Sequence, residues 1–539
     1  MDYDILITNG YVFDGSGNPW IRGDIGIKDG RIAGIGVLRG AKAQEKIDAG
    51  GLAVSPGFID FHCHSDALPL IAPEETAKIL QGVTTETVGH CGFSLAPVLA
   101  KTRDLLQKYA AFLCLGRPLP WSWQSLGDLL NVMEKRPYVT NIASLVGHGT
   151  IRIAAMGFAN REPMAEELAF MEKLLSQAFA DGAFGLSFGL PYPPGTFSRG
   201  PEILALCRVA AREGGFFTVH MRSERGEVLD SVAEVIAIGE GSGAPAVISH
   251  HKTFGRENWG KSRQTLRLIE EARERGVDIT CDAYPYIAPN TVLRSLLPPW
   301  AHEGGVEKLI ERLRSPENRL RLRHEMNEGL PGWESPGKSA GWGNVIISSC
   351  KKNKTVEGKN IQELSSLKKV EPAEVVFDLL IEEEGDALMV VFGMSEEDVA
   401  CILKHPAVMV ASDGIPSDGK PHPRYFGTFP RILGKYVREE KTMGLPEAIR
   451  KITSMPARRL GLQDRGMLKE GMWADITIFD AQKIEDKSSF VDPHQSPSGI
   501  QYVLVNGQVA VRDGHFTGTH AGEILRKRGR TAHLPSEDR

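Results

Sequence analysis

Residues 56–66 read PGFIDFHCHSD, an apolar run that ends in two histidines one residue apart. In a β-strand, residues i and i+2 point to the same face, so His62 and His64 would share one side, with Asp66 two residues further on. Neighbouring imidazoles are unusual in an apolar core, whereas they are common as ligands of a metal ion. The stretch therefore predicts a strand whose carboxyl end carries metal ligands, provided that other segments supply matching partners.

The composition of the chain is that of an ordinary globular protein. Its 539 residues fit one large barrel with accessory parts, or about three to four smaller domains. A net charge of −5 gives no indication of binding to nucleic acid or to a membrane surface, and no apolar run reaches the roughly 18–20 residues of a membrane span. The acidic N-terminus, MDYDILITNG, differs from a signal peptide. We therefore expect a cytoplasmic protein with neither kind of partner.

The cysteines give a further constraint on the chemistry. An odd number of scattered cysteines without any CxxC pair argues against a disulfide framework and against a zinc-finger site. One thiolate can still serve a catalytic site. The seven cysteines are residues 63, 91, 114, 207, 281, 350 and 401.

Both ends of the chain have a β-rich pattern. DILITNGYVFDG carries an Asn-Gly pair that marks a turn, and DIGIKDGRIAGIG predicts a hairpin with Asp-Gly at its tip. Near the other end, ADITIFD predicts a strand and GIQYVLVNGQVAVRDG a second hairpin. We expect residues 1–55 and 461–539 to meet in one small β-domain, with the tail HAGEILRKRGRTAHLPSEDR weakly ordered.

The middle of the chain, residues 56–460, alternates apolar strands with amphipathic helices. Examples are GGFFTVHM followed by EVLDSVAEVIAIGEGSG, and APAVISHHK followed by RQTLRLIEEARERG. About eight such units indicate a (β/α)₈ barrel, in which functional sites lie at the carboxyl ends of the strands. Charged helical segments over residues 300–390 interrupt the alternation, and they predict either a lid over the site or a peripheral decoration.

Several polar residues stand where an apolar strand stops. A single histidine at such a place is more often a hydrogen-bonded structural residue, a single cysteine is more often a small buried side chain, and an Asp-Gly pair is often a turn. The joint pattern is much more specific, because the strand ends of a barrel converge on one point. The candidates are His62, His64, Cys91, His220, His250 and Asp413.

The motifs FIDFHCHSD, GVTTETVGHCGFS, HMRSE, ISHHK, DAYPY and HPRYFGTFPR together resemble the amidohydrolase superfamily and, more closely, its N-acyl-D-amino-acid deacylases. The resemblance runs almost end to end. It implies a distorted (β/α)₈ barrel beside a β-sandwich formed by both termini, with an insertion after the sixth strand. It also implies hydrolysis of the amide bond of N-acyl-D-amino acids, and the preference for the D form depends on the resemblance alone.

The resemblance further implies the roles of individual residues. A tight Zn²⁺ would be held by Cys91, His220 and His250, and a weaker metal position would be lined by His62, His64 and Asp413. Asp413 would be the catalytic base and acid beside a metal that makes hydroxide available at neutral pH. The α-carboxylate of the substrate would be bound by Arg424 and Tyr284, with Lys252 as a further candidate.

Two departures from common amidohydrolase patterns bear on the metal geometry. Many members bridge two metals with a carboxylated lysine on the fourth strand, but GAFGLSFGL has no lysine, and a Cys91 thiolate would take that place. The chain also has His90 where the deacylases usually have asparagine. That ring would hydrogen-bond near the thiolate or offer another ligand.

Other functions for the same fold stay open at this point. A cyclic-amide hydrolase, such as a hydantoinase or a dihydroorotase, predicts the missing lysine, and a deaminase of a purine or pyrimidine ring does not need Cys91. A scaffold without catalytic activity predicts lost ligands, yet every expected ligand position is filled.

Overall fold

A computed structural model describes residues 2–527 of the chain. None of the helices in this range combines the length and the apolar character that a membrane crossing needs. The first part of the chain is a run of strands whose packed face is formed by buried isoleucines, among them Ile25, Ile27 and Ile32. These strands are β1 (Tyr3–Val12), β2 (Ile21–Lys28), β3 (Arg31–Gly36), β4 (Ala43–Asp48) and β5 (Ala53–Pro56).

Of the two turns predicted in this region, one is present and the other is not. The hairpin predicted at Asp29–Gly30 is present between β2 and β3, and both turn residues have positive φ, 49° and 74°. The Asn9–Gly10 pair lies inside β1, where the register against β2 shifts and Asn9 has φ 63°. The prediction of a turn there is wrong, because the chain uses these residues for a β-bulge.

The middle of the chain supplies strands that are short and mostly buried on both faces, as expected for a parallel sheet covered by helices. In chain order they are β6 (Phe58–Asp60), β7 (Val83–Val88), β8 (Asn141–Ser144), β9 (Val146–Gly147), β10 (Gly185–Gly189), β11 (Phe216–His220), β12 (Ala246–Ile248), β13 (Ile279–Ala283), β14 (Asn290–Val292), β15 (Val345–Ser349), β16 (Leu388–Val391) and β17 (Val408–Val410).

Eight parallel strand positions close into a barrel. Their order is β6, β7, β8 with β9, β10, β11, β12, β13 and β17, where β8 and β9 are two segments of one strand separated at Leu145. The last strand returns to the first, since the backbone N–H of Asp413 donates to His62 O at 2.7 Å and that of His64 donates to Gly414 O at 2.9 Å. The predicted (β/α)₈ barrel is confirmed.

Amphipathic helices cover the outside of the barrel, and further helices belong to the insertion. In the helix over residues 262–274, the buried residues Thr265, Leu266, Ile269 and Ala272 recur at three- and four-residue spacing on the face toward the strands. The helices are α1 (Leu68–Ile71), α2 (Arg103–Tyr109), α3 (Leu126–Met133), α4 (His148–Met156), α5 (Ala165–Asp181), α6 (Gly200–Arg212), α7 (Val228–Ser242), α8 (Ser262–Glu274), α9 (Val306–Arg314), α10 (Pro316–Glu328), α11 (Pro336–Ala340), α12 (Ile361–Lys368), α13 (Pro372–Glu382), α14 (Glu396–Lys404), α15 (Arg424–Arg431), α16 (Leu445–Ile452) and α17 (Ser454–Leu460).

An insertion lies between β13 and β17. It contains an antiparallel sheet in the order β14, β16, β15, together with helices α9 to α13. Leu309 and Leu313 of α9 and Phe377 and Leu380 of α13 are fully buried in it. The insertion follows the seventh barrel strand, so the expectation that it follows the sixth is wrong by one strand.

The C-terminal strands join the N-terminal strands in a single sheet. The sheet runs β21, β20, β19, β18, β5, β1, β2, β3, with β4 paired to β1, and the hairpin predicted at Asn506–Gly507 connects β19 to β20. The small β-domain formed by both termini is therefore confirmed, and its strands are continuously hydrogen-bonded. The C-terminal strands are β18 (Ile476–Phe479), β19 (Ile500–Val505), β20 (Gln508–Arg512), β21 (His515–Phe516) and β22 (Ile524–Leu525).

The last strand, β22, leaves this sheet and joins the barrel. It pairs in parallel with β8, and the N–H of Ile142 donates to Glu523 O at 2.9 Å. The expectation of a weakly ordered tail is wrong up to Lys527, because the unpaired edge of β8 offers backbone partners to this segment. The rest of the tail, residues 528–539, lies outside the described range.

A buried histidine makes the stability of the fold depend on pH. His302 follows β14 in the insertion, and burial, followed by the charge of Arg294, lowers its pKa to about 3. Between about pH 6.5 and pH 3 the unfolded chain binds a proton here that the folded chain does not, so stability falls as the pH falls. Between pH 6.5 and pH 5.5, we expect the unfolding free energy of the wild type to fall by about 1 kcal/mol because of this residue. The His302→Gln variant should not show this part of the decrease.

Denaturant titration at several pH values measures this difference. His515→Gln removes an exposed histidine and is the matched control, since that side chain is in water in both states. Equal pH slopes for wild type and His302→Gln would contradict the prediction.

Candidate metal centre and its cavity

The candidate ligands lie at the carboxyl ends of five barrel strands. His62 and His64 follow β6, and Cys91 follows β7. The other three are His220, which ends β11, His250, two residues after β12, and Asp413, three residues after β17. Each strand is buried up to this point, and the carboxyl ends of parallel barrel strands lie at the same end of the barrel, so these side chains emerge together. The six predicted residues are brought together.

The ligand atoms form two overlapping groups. His62, His64, Cys91 and Asp413 make one group, Cys91, His220 and His250 make the other, and within each group the atoms lie within 4.8 Å of one another. Cys91 is common to both, since its Sγ is 3.4 Å from His62 Nε2 and 3.4 Å from His250 Nε2. The two groups therefore share one sulfur atom, as expected if Cys91 takes the place of the lysine that the fourth strand lacks.

Three of these residues adopt left-handed backbone conformations. The φ angles are 53° at Cys91, 36° at His250 and 47° at Asp413. Non-glycine residues rarely adopt such angles, and at functional sites the surrounding structure maintains them. Gly189, at the end of the fourth barrel strand, allows the Cys91 loop to approach, because a Cβ there would overlap the Cys91 carbonyl oxygen.

The protonation of the imidazoles suits metal binding. Burial is the largest influence on His220 and His250, and it lowers the pKa of both rings well below the ordinary value, so that they are neutral ligands. Nδ1 of His220 is buried and has no hydrogen-bond partner among the described residues. An imidazole nitrogen left without a partner in this position is consistent with coordination to a cation.

Negative charge at the site favours a bound cation. Burial alone would lower the pKa of His62, but Asp282, Cys91 and Asp413 raise it well above the ordinary value. Burial raises the pKa of the Cys91 thiol to about 11, so the thiol gives up its proton only when a cation takes the proton's place. The nitrogen, sulfur and carboxylate donors fit zinc, which accepts all three.

Asp413 is held by a buried guanidinium. Burial would raise its pKa, but Arg424, His250 and His62 hold it well below the usual range. Nη1 of Arg424 is 2.8 Å from Asp413 Oδ2, and Asp413 Oδ1 is 3.2 Å from His64 Nε2. The carboxylate is therefore ionised and oriented from two sides.

The proposed carboxylate-binding residues lie in one cationic cluster. The ring of Tyr284 lies 4.5 Å from Arg424 Cζ and 5.4 Å from Lys252 Nζ. Lys252 lines the cavity, while Arg424 and Tyr284 lie behind its wall and are buried. The structure thus places Arg424 on Asp413, a contact that the sequence did not predict.

Two supporting carboxylates were missed by the sequence analysis. Asp282 accepts the backbone N–H of His250 at 2.8 Å and lies 3.2 Å from Nδ1 of His62. Glu224 lies 3.0 Å from His250 Nδ1 and 2.6 Å from Lys252 Nζ. Such partners orient ligating imidazoles. Asp282 is an acidic residue inside an otherwise largely apolar strand, and this feature of the sequence could have identified it.

The neighbouring residues have structural contacts. His90 stacks on His62 with ring centroids 3.9 Å apart and belongs to neither ligand group. Cys63 is buried, with its Sγ 3.4 Å from Thr87 O, as expected for core packing. Nε2 of His251 is 2.8 Å from the Thr265 hydroxyl. Asp66 accepts the backbone N–H of Gly89 at 2.9 Å, which fixes the loop before Cys91.

A cavity of about 370 Å³ opens over the two groups. Five of the six candidate ligands line it, and the insertion contributes Trp333, Glu334 and Met389. The volume suits a small organic molecule, and the site lies where barrel enzymes hold their substrates.

The closed parallel barrel, the His-x-His strand and the strand-end aspartate define a metal-dependent hydrolase of the amidohydrolase type. The family model described as "Amidohydrolase family" matches residues 45–511. The chain is 36% identical over 527 residues to the D-aminoacylase of Alcaligenes xylosoxydans xylosoxydans, covering 97% of both chains. It is 36% identical to the N-acyl-D-glutamate deacylase of the same organism, covering 99% of both.

A solved structure gives the same result. The N-acyl-D-glutamate deacylase of Bordetella bronchiseptica, complexed with zinc and a phosphonate that mimics the tetrahedral intermediate, has a TM-score of 0.83 and 34% identity, with 98% of this chain and 100% of that chain covered. The chain belongs to the amidohydrolase family and, within it, to the N-acyl-D-amino-acid deacylases.

Proposed function

We propose that the protein is a zinc-dependent deacylase that hydrolyses the amide bond of N-acyl-D-amino acids to a carboxylate and a free D-amino acid. The observation that carries this proposal is the Cys91 thiol shared by two ligand groups, on a barrel whose fourth strand has no lysine. The D preference is supported by the named relatives, which act on N-acyl-D-amino acids. The cytoplasmic location and the domain boundaries stay predictions.

The residues would hold metal in two positions. Cys91, His220 and His250 would hold the tight zinc ion, and His62, His64 and Asp413 would line a second, weaker position that shares Cys91. When bound, zinc lowers the pKa of water towards neutrality and polarises the carbonyl of an amide. Glu224 and Asp282 would keep the imidazoles in their orientation through the contacts described above.

Asp413 would act as general base and then as general acid. It is ionised because of Arg424, and it faces the cavity beside His64. In the first step its carboxylate accepts a proton from the attacking water. In the second step it gives that proton to the nitrogen of the leaving amine, which otherwise departs poorly.

The substrate α-carboxylate would bind at the cationic cluster of Lys252, Arg424 and Tyr284. Lys252 reaches the cavity directly, and Arg424 adds positive charge from behind Asp413. A carboxylate bound here would place the adjacent amide over the ligand groups, because the α-carboxylate and the amide nitrogen share one carbon atom.

Loss of Arg424 should weaken catalysis in two separable ways. For Arg424→Gln we expect kcat/KM for an N-acetyl-D-amino acid to fall about 100-fold, and about 10-fold for the corresponding D-amino acid amide, which lacks the carboxylate. The pKa of Asp413 would rise without the guanidinium, so the acidic limb of the pH profile should move to higher pH.

Steady-state kinetics as a function of pH tests both effects. Arg431→Gln is the matched control, since Arg431 lies in the same helix and donates to Pro285 O instead of contacting Asp413. An unchanged acidic limb in Arg424→Gln would show that the guanidinium does not set the ionisation of Asp413.

The function itself is tested by a substrate panel on the zinc-loaded protein. N-acetyl-D-amino acids, their L enantiomers, and hydantoins are compared by amine release and by ring opening. We expect turnover of the D series, with the L series at least about 100-fold slower. Hydrolysis of hydantoins without any turnover of N-acyl-D-amino acids would refute the proposed function in favour of a cyclic-amide hydrolase.

A further inference from the structure

A buried ion pair adjoins the metal centre without lining the cavity. Lys78, in the segment between α1 and β7, places its Nζ 2.6 Å from Oδ2 of Asp60, which is the last residue of β6. Both side chains are buried, and neither borders the cavity. The pair therefore does not touch a substrate, and any effect on the reaction has to pass through another residue.

Ser412 joins this ion pair to the last barrel strand. Asp60 accepts two hydrogen bonds from Ser412, one from the backbone N–H at 2.9 Å and one from the hydroxyl at 2.6 Å. The same hydroxyl accepts from Lys78 Nζ at 2.6 Å and from the N–H of Gly414 at 3.0 Å. One donated and two accepted hydrogen bonds use the full capacity of a hydroxyl group, so its orientation is fixed.

The network holds the residues on both sides of Asp413. Ser412 precedes it and Gly414 follows it, and each donates its backbone N–H into the network. Asp413 itself has a φ of 47°, a left-handed conformation that costs free energy in a residue other than glycine and persists where the surrounding structure imposes it. The network thus fixes the turn that directs the Asp413 carboxylate into the cavity.

Lys78 also contacts the helix that carries the partner of Asp413. Its Nζ lies 4.9 Å from the ring centroid of Tyr425, the residue after Arg424 in α15. From the same segment, Gln81 donates to Tyr425 O at 2.8 Å. The segment before β7 is therefore in contact with the backbone on each side of the Arg424–Asp413 ion pair.

The charge of Lys78 is kept in spite of its burial. Burial would lower its pKa, but the carboxylate of Asp60 raises it above the ordinary value. A buried ion pair adds little net stability compared with apolar residues of the same volume, but it can specify one arrangement of the segments that it joins. Here those segments are the first barrel strand, the approach to the second strand, and the loop after the last strand.

We propose that Asp60, Lys78 and Ser412 are positioning residues that hold Asp413 in the orientation needed for proton transfer. This inference rests on the proposed function, in which Asp413 is general base and then general acid. The carboxylate has to reach the attacking water in one step and the leaving nitrogen in the next, and a displacement of about 1 Å costs about 100-fold in rate. Loss of the network should therefore lower kcat and leave substrate binding and the tight zinc ion unchanged.

Ser412→Ala in the zinc-loaded, full-length protein is the central variant, because it removes one hydroxyl and keeps the ion pair. We expect kcat for an N-acetyl-D-amino acid to fall about 30-fold, with KM within about twofold of the wild-type value and an unchanged zinc content. Lys78→Met should lower kcat at least as much. It also leaves Asp60 without its counter-ion, so its stability is measured in parallel by denaturant titration.

A double variant separates positioning from a general structural role. If the network acts through Asp413, Ser412→Ala should cause no further loss once Asp413→Asn has removed the proton acceptor. The kcat of the double variant should then equal that of Asp413→Asn within about twofold. A general disturbance of the metal centre would instead lower kcat by the same factor with and without Asp413→Asn.

Lys451→Met and Ser55→Ala are the matched controls. Lys451 is a buried lysine at the opposite end of the last barrel strand, where its Nζ donates to Val408 O at 2.7 Å, and Ser55 is a buried serine of β5. Both should keep kcat within about twofold, since neither contacts the network.

Three results would overturn the inference: a loss of kcat below about threefold in Ser412→Ala, an additive loss in the double variant, or an equal loss in Lys451→Met and Lys78→Met. Each of these leaves the deacylase function intact. A wild-type protein that hydrolyses no N-acyl-D-amino acid would refute the proposed function and this inference with it.

Discussion

Asp413→Asn should lower kcat for N-acetyl-D-amino acids by about 10⁴-fold, with little loss of the tightly bound metal. The amide side chain is nearly the same size but cannot accept a proton, so it fails both at the attacking water and at the leaving amine. General acid and base catalysis contributes about 10²–10⁴ in rate, and this residue would serve in both steps. The group of Cys91, His220 and His250, which would hold the tight zinc ion, does not include Asp413, so zinc should remain.

The measurement combines single-substrate kinetics with metal analysis of the same samples. Asp418→Asn is the control, because Asp418 is an exposed residue of the same loop. If Asp413→Asn kept more than about a tenth of wild-type kcat, another group would have to act as the base. A large loss of zinc in this variant would also contradict the division into a tight and a weak position.

Cys91→Ala should abolish activity by a different route, through the loss of metal. Cys91 is the one residue present in both ligand groups, so its removal takes a ligand from each position. We expect the zinc content after dialysis against a weak chelator to fall from about one ion per chain to less than about a tenth, and kcat to fall at least 10³-fold. The fold should persist, because the barrel closes through backbone hydrogen bonds and packing that do not involve this side chain.

Cys63→Ala is the matched control for this experiment. Cys63 is equally buried and lies between the two histidines of the first strand, but it points into the core. It should keep its zinc with a small loss of stability. Cobalt substitution gives an independent readout, since a thiolate-to-cobalt absorption band should be present in Cys63→Ala and absent in Cys91→Ala. A full complement of zinc in Cys91→Ala would refute the thiolate as a ligand.

Local sequence signals were sufficient to predict the six residues that converge at the strand ends, and insufficient for the carboxylates and the guanidinium that contact them. His62 and His64 follow from the two-residue period of a strand, and the convergence of Cys91, His220 and Asp413 follows from the geometry of barrel strand ends. Both the strand period and the convergence of the strand ends can be recognised from the sequence pattern alone. Neither depends on the conformation of an individual long side chain.

The contact between Arg424 and Asp413 could not be predicted in this way. Eleven residues and a turn separate them, and the direction of a long side chain depends on packing that spacing does not encode. Glu224 and Asp282 were missed for the same reason, since their role depends on distances to rings on other strands. At Asn9 the error is of the opposite kind, because a turn was predicted and is not present. The Asn-Gly pair forms a β-bulge instead, since the long strand continues its pairing on both sides of it.

The position of the short strand β22 near the end of the sequence affects how the chain folds during its synthesis. It supplies backbone partners to Ile142 and Ala143, and the neighbouring residues 521–523 are tied to Tyr138, Asn141 and Asn506. During synthesis on the ribosome, these partners emerge nearly four hundred residues after the barrel strand that they complete. One edge of the third barrel strand therefore stays unpaired through most of translation. A nascent chain stalled before residue 520 should for this reason be a substrate for chaperones.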